Sequence, residues 1–239
     1  MEKIKISSEL TYLLAIVLLS LAVAMLSAAD FGISMIVAPA YLLSLKIDVL
    51  SFGQAEYVIQ AGGFIILCVV LKKFKFVYLF SFGTCLIYGL VLDLWRKIPF
   101  FNPQITAPGS MDLRIRIVMF VSGVLLTSFA VALFFKTYFY PQVYDFFVKA
   151  VSGNYGIKLP LLKTIVDLSC LTASFIMTLA FFGDIRGIGW GTLVMAVVNG
   201  TIIGFFSKLL EKIFDFRPTF KRFSALFELQ SVNKNDESV

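Results

Sequence analysis

From Leu10 to Ala29 the chain runs twenty residues without a charge. A helix of that length spans the roughly 30 Å hydrocarbon core of a bilayer at about 1.5 Å per residue. Further apolar stretches follow at about 55–71, 76–95, 115–135, 161–182 and 187–210. Helices apolar on all sides need lipid, or a much larger protein, around them. The composition agrees: 59% of the 239 residues are hydrophobic and 15% charged, with a mean hydropathy of +0.90. Soluble domains run near ~45–50% apolar and ~25% charged. The sequence is that of an integral membrane protein.

Several function classes fall away on residue types. The chain has no histidine, which removes histidine-based triads, zinc–histidine sites and haem ligation through histidine. Cys68, Cys85 and Cys170 each lie in an apolar run and none forms a C-x-x-C pair, so they read as small buried helix residues. No cofactor is expected. The net charge of +6 comes from basic residues at segment ends, which fits the positive-inside rule better than nucleic-acid binding. Lys3 and Lys5 ahead of an apolar stretch and Ser27-Ala28-Ala29 resemble a signal peptide. The stretch is longer than a usual signal core, and we read a retained first transmembrane helix.

Two shorter stretches, about 33–45 and 138–150, cannot span comfortably. Each contains a proline, Pro39 or Pro141, and each follows directly on a long helix. Such segments in matching places of two halves point to re-entrant or broken helices. The halves also match in detail. Ser20–Ala24 recurs as Ser128–Ala132 at an offset of 108, and Gly89–Lys97 aligns with Gly200–Lys208 at an offset of 111, which pairs Glu56 with Asp167. The expected fold is an all-α transmembrane protein: six membrane-crossing helices plus two short re-entrant or broken helices, arranged as an inverted internal repeat. Its divisions are a cytoplasmic N-terminus (1–9), a first repeat (10–97), a connecting loop (98–114), a second repeat (115–213) and a cytoplasmic tail (214–239). Lys3 and Lys5, Lys72-Lys73-Phe74-Lys75, and Lys208, Lys212, Arg217, Lys221 and Arg222 then share the cytoplasmic side. Arg96, Lys97, Arg114 and Arg116, flanking the outer loop, run against that count. The tail from Phe214 through Phe227 reads as a segment on the anionic membrane surface, followed by disorder from Gln230 to Val239.

Short motifs recur at the segment ends: Phe31-Gly-Ile-Ser34, Leu50-Ser-Phe-Gly-Gln54, and Gly83-Thr84 followed by Gly89-x-x-x-Asp93. The second half adds Lys163-x-x-x-Asp167, Gly189-Trp-Gly-Thr192 and Asn199-Gly200. Over about residues 10–213 this pattern resembles the bacterial YczE/YyaS/YitT membrane proteins. The resemblance implies a multi-pass protein of the bacterial cytoplasmic membrane, often supposed to be a transporter, and no settled substrate.

Ionisable groups inside a membrane span cost at least ~2.5–3.5 kcal/mol and normally face a cavity or a partner. Glu56 shares a helix face with Gly53, Gln60 and Gly63, either lining a polar cavity as a proton or cation site or sitting in the interface with water. Lys163 and Asp167, one turn apart, head a stripe continuing through Cys170, Ser174 and Thr178. They read as a pair that can exchange a partner for a charged ligand, or as a structural ion pair. Asp93 lies beside Trp95-Arg96-Lys97, solvated or paired with one of those cations. Asn199 is interhelical glue or a substrate hydrogen-bonding group. Gly183-x-x-x-Gly187-x-x-x-Gly191 and Gly200-x-x-x-Gly204 read as close-packing positions.

The candidate substrate- or proton-binding set is therefore Lys163, Asp167, Glu56, Asp93, Asn199 and Gln60. The expected function is a secondary carrier of a small solute, an organic anion or an amino-acid-like compound. A passive channel or lipid-handling facilitator is the rival. No nucleophile–base pair or ligand set suggests an enzyme. Expected partners are membrane lipids, the solute and, for an oligomer, a second copy of the chain. The charge distribution makes a topological prediction. In a cysteine-free background, cysteines at Lys73 and near Val239 should be shielded from an impermeant thiol reagent in intact cells, and one at Asn102 labelled. Labelling of position 73 from outside would overturn the six-crossing arrangement.

Overall fold

A computed structural model of the protein describes residues 3–72, 74 and 78–220. Among these are eight α-helices: α1 (Ser8–Ala29), α2 (Ala38–Lys46), α3 (Phe52–Leu71), α4 (Tyr78–Arg96), α5 (Leu113–Phe134), α6 (Val143–Tyr155), α7 (Leu159–Phe182) and α8 (Trp190–Ile213). Six of them, α1, α3, α4, α5, α7 and α8, are long and apolar enough to cross a membrane. Most helix ends are written in local chemistry. The Ser7 hydroxyl caps α1 by accepting from the Leu10 N–H, and Asp112 caps α5 by accepting from the Arg114 N–H. Ser51 and Gln54 form a reciprocal capping box on α3. Gly156 and Gly183 take the left-handed conformation that ends α6 and α7.

Contacts between elements fix the direction of every helix. Arg116 Nε donates to the Ala29 carbonyl at 2.9 Å, and the Tyr12 and Phe134 rings meet edge-on, so α1 and α5 are antiparallel. Asp93 on α4 bonds Ser51 and Gly53 at the start of α3, and the Gly191 N–H bonds the Phe31 carbonyl. One end of the bundle thus gathers Asp30, the starts of α3, α5 and α8, and the ends of α4 and α7. The opposite end gathers the start of α1, the ends of α3, α5 and α8, and the starts of α4 and α7. We call them the Asp30 end and the Ser8 end.

The short helices do not travel between these ends. Around α2, Ile33 donates to Gly187, Lys46 Nζ to the Phe181 carbonyl, and Ser51 to Asp93, all at the Asp30 end. The chain before α6 runs inward from the Ser8 end: Tyr138 bonds Ser8 and Glu9, the Tyr140 carbonyl accepts from Thr84, and Gln142 meets Gln60 midway along α3. From there α6 returns to the Ser8 end, where the Tyr155 hydroxyl meets the Val70 carbonyl. The prolines open these helices rather than interrupt them. Pro39 lies in the first turn of α2 and Pro141 just ahead of α6, places where a missing N–H costs little.

α1 and α5 form the centre. Over its most apolar window α1 is 61% buried, against 11% for α7 and for α8. Ala22, Ala24, Ala28 and Ala29 have no exposed surface. Opposite them Gly123 lets α5 approach so closely that a Cβ there would lie 2.8 Å from Leu26 Cγ. α4 packs on α1 and α8 on α5, α3 packs on α4, and both short helices bridge α3 and α7. The consecutive helices α7 and α8 share almost no packing among the described residues.

Two features depart from the sequence expectation. Gly187 and Gly191 are tightly packed, against Tyr41 and against Phe31 and Phe120, but Gly183, Gly200 and Gly204 face open space. The small-residue spacing marks where a helix can approach, not where one does. The tail also begins as a strand, since Phe214–Arg217 pairs in parallel with Ile4–Ser7. The rest of the expected surface segment, 221–227, and the tail beyond lie outside the described residues. So do Lys73 and Lys75.

The contrast between the two glycine sites is testable. At Gly89 a Cβ would come 2.3 Å from Tyr57 Cε1, and overpacking of this kind costs about 1–3 kcal/mol. Gly89→Val should lower the thermal midpoint in detergent by several degrees, and Gly200→Val should leave it unchanged. Equal effects at both positions would show that the α3–α4 contact does not hold in the membrane protein.

Candidate functional site

Polar side chains inside the bundle converge on the first turn of α6. Glu56, on the second turn of α3, has no exposed surface. Its Oε2 accepts from Gln60 Nε2 at 3.0 Å and from the Tyr144 hydroxyl at 3.1 Å. Gln60, also fully buried, donates to Gln142 Oε1 at 2.9 Å and accepts from the Val143 N–H at 3.1 Å. The Cys85 thiol faces the Glu56 carbonyl at 3.9 Å. Glu56 Oε1 has no hydrogen-bond partner among the described residues. A buried oxygen left so costs about 1–3 kcal/mol, and a proton or a donor group on a ligand removes that cost. The arrangement holds one carboxyl oxygen firmly and leaves the other free to bind.

The next residue of the same turn serves the second cluster. Lys163 Nζ lies 3.0 Å from Asp167 Oδ1 on its own helix and 3.6 Å from Asp145 Oδ1 on α6. The three side chains are about one-third exposed on the flank of the bundle. Two carboxylates about one ammonium give the group a formal charge of −1. Tyr144 has its hydroxyl on Glu56 and stands next in sequence to Asp145, so one turn serves both clusters. Three of the sequence candidates, Glu56, Gln60 and Lys163, are therefore met by residues of one turn, Gln142–Asp145, and Asp167 joins them through Lys163.

The other two sit elsewhere. Asp93 turns away from Arg96 and Lys97 and binds the start of α3, accepting from the Ser51 hydroxyl at 2.5 Å and the Gly53 N–H at 2.8 Å. Such a carboxylate satisfies open N–H groups and the helix dipole together. Arg96 is instead buried over the Phe52 ring and donates to Asn102 and Gln104. Asn199 Oδ1 accepts from Ser128 at 3.2 Å, joining α8 to α5. Further along the expected α7 stripe, Ser174 and Thr178 are buried, and Thr178 fastens the α7–α8 turn through Asp184 and Arg186. Sequence reasoning missed Gln142, Tyr144 and Asp145. Their signal was three polar residues within four positions directly after Pro141.

At the Asp30 end, Asp30 ends α1 in the left-handed region and lies 3.8 Å from Arg116. Burial raises the Asp30 carboxyl above its usual range, against the opposing pull of the Arg116 guanidinium. The Phe31–Ser34 and Gly189–Thr192 segments meet here, through Gly191 on Phe31 and Ile33 on Gly187.

Six long apolar helices around a buried polar turn define a multi-pass α-helical membrane protein. Residues 6–208 match a family of unknown function, DUF6198, and the chain belongs to that family. No curated protein and no solved structure matches it.

The triad of Asp145, Lys163 and Asp167 predicts unequal mutants. Lys163→Met leaves two carboxylates facing one another and should cost about 1–3 kcal/mol, between the exposed and buried limits. Asp167→Asn keeps the Lys163–Asp145 contact and should cost under about 1 kcal/mol. Thermal unfolding in detergent reads the difference, and an equal loss in both would show that Asp145 does not share the lysine.

Proposed function

We propose that the protein is a secondary carrier of a small solute, built as an inverted repeat with α2 and α6 as re-entrant elements. The observation that carries the reading is Glu56: a carboxyl with no exposed surface, anchored through one oxygen and open at the other, at the tip of a short helix. Ion-coupled carriers need a group of this kind where irregular backbone is covered by protein. The repeat is supported by packing. Exchanging α1 with α5, α2 with α6, α3 with α7 and α4 with α8 turns α1–α4 into α5–α8, α2–α3 into α6–α7, and α2–α7 into α6–α3, all of them packed pairs. The exchanged helices run in opposite directions.

The break in that correspondence supports motion. α3 and α4 touch at Gly53 and Gly89, whereas α7 and α8 are parted at the equivalent Gly200. A carrier that alternates between two states has one half closed while its counterpart is open. The Ser8 end carries Lys3, Lys5, Lys72, Lys208, Lys212 and Arg217, which favours a cytoplasmic position for that end. At the other end Arg96 and Arg116 are engaged by side-chain amides, backbone carbonyls and aromatic rings, so they weigh little against it. The likeness to the YczE/YyaS/YitT proteins fits a place in the bacterial cytoplasmic membrane. The same lateral gap favours a second reading, a lipid-handling facilitator admitting a chain between α7 and α8.

Proteoliposomes enclosing a pH-sensitive dye test the proposal against a panel of small carboxylates and amino acids. A carrier should give a saturable proton flux with a transported solute. Glu56→Gln should lower that flux at least tenfold and leave solute counterflow in place. Flux linear in solute concentration points to a channel, and lipid scrambling without solute flux to the facilitator. Unchanged coupling in Glu56→Gln would remove the residue from the mechanism.

A further inference from the structure

A pocket of about 430 Å³ opens at the Asp30 end, between the C-terminus of α1, α2 and the α7–α8 turn. Its lining includes Asp30, Tyr41, Asp184, Arg186, Gly187 and Trp190, and none of these belongs to the Glu56 or Lys163 clusters.

Two of the lining residues offer hydrogen-bond donors without acceptors. Tyr41 is 4% exposed, its ring wedged between Gly187 and Phe52, and its hydroxyl has no hydrogen-bond partner among the described residues. α8, a helix of 24 residues, begins at the pocket wall. In its first turn the Gly191 N–H is taken by the Phe31 carbonyl and the Thr192 N–H by the Gly189 carbonyl, which leaves the Trp190 N–H unpaired among the described residues.

Charge decides what these donors would hold. Both lining carboxylates already have a cation, Asp184 from Arg186 at 3.0 Å and Asp30 from Arg116 at 3.8 Å. Behind Tyr41, and within electrostatic reach of it, Arg96 is buried with neutral amides as hydrogen-bond partners and no carboxylate at ion-pair distance among the described residues. Asp93 offsets part of that guanidinium's charge, and the positive end of α8 favours a negative group.

We propose that this pocket docks the carboxylate of a small solute, one oxygen on the Tyr41 hydroxyl and the other on the Trp190 N–H. The assignment names a solute class for the carrier reading and to that extent rests on it, but binding can be read without transport. Trp190 is itself the reporter. The chain has two tryptophans, and Trp95→Phe leaves Trp190 alone. Acetate, titrated into this purified protein at constant ionic strength, should change Trp190 emission saturably in the millimolar range. Tyr41→Phe, losing a bond to a charged group, should weaken the response roughly tenfold.

A second measurement does not depend on Tyr41→Phe folding. Ile185 lines the pocket and is 60% exposed. Alkylation of Ile185→Cys in a cysteine-free background should slow as acetate is added. Absence of both effects overturns the pocket assignment. An equal response to chloride or inorganic phosphate overturns the carboxylate specificity, and a response to methylammonium alone overturns the sign of the charge. Saturable acetate binding in protein that moves no carboxylate would keep the pocket and remove the carrier.

Discussion

The close approach of α1 and α5 is the constraint from which the rest of the bundle follows. Hydrocarbon gives two apolar helices no reason to prefer each other over lipid, so their association depends on packing. Here the packing comes from alanines along the second half of α1 and from Gly123 on α5. α4 lies on one member of this pair and α8 on the other. α7 is placed differently. It packs on the short helices α2 and α6, so the position of a whole membrane-length helix depends on two elements that do not cross.

Those short elements also explain where the polar groups are. A chain that breaks its helix in a nonpolar setting must satisfy its backbone with protein groups. The Val143 N–H takes Gln60, the Tyr140 carbonyl takes Thr84, and the Ile33 N–H takes the Gly187 carbonyl. Gln60 is therefore needed for structure at the tip of α6, and it also orients Glu56. Structural and chemical roles cannot be separated at this turn. The polar residues that allow an irregular backbone to be buried create the only kind of surroundings in which a carboxyl can be buried as well.

Much of this was legible in the sequence, and the limits have physical causes. Apolar length located all six long helices to within a few residues, and Pro39 and Pro141 marked the two short ones. Glu56, Gln60, Lys163 and Asp167 stood out because charge and amide groups are costly in such segments. The meeting of Glu56, Gln60 and Lys163 with Gln142–Asp145 was not legible, because it depends on how far α6 reaches in from the Ser8 end. Asp93 could not be assigned from its neighbours. The start of α3, forty residues earlier, is brought to it by the antiparallel α3–α4 pair. The glycines of α8 misled for a similar reason, since a small residue permits a contact and only the partner's position makes it. The strand Phe214–Arg217 was hidden by its alternation of aromatic and charged residues, a pattern shared by a membrane-surface segment and a half-exposed strand.

One line of side chains relates the two ends of the candidate machinery. Phe52 and Glu56 are four residues apart on α3 and share a face. The Tyr41 ring meets the Phe52 ring at 5.2 Å, and the Arg96 guanidinium covers Phe52 at 5.3 Å. Phe52 has 1% of its surface exposed, so both contacts are made by a buried ring one helical turn from Glu56. The ring is apolar, yet its neighbours include a phenol and a guanidinium. The pocket residue Tyr41 and the helix that carries Glu56 are therefore joined through Phe52 and the packing of α2 on α3.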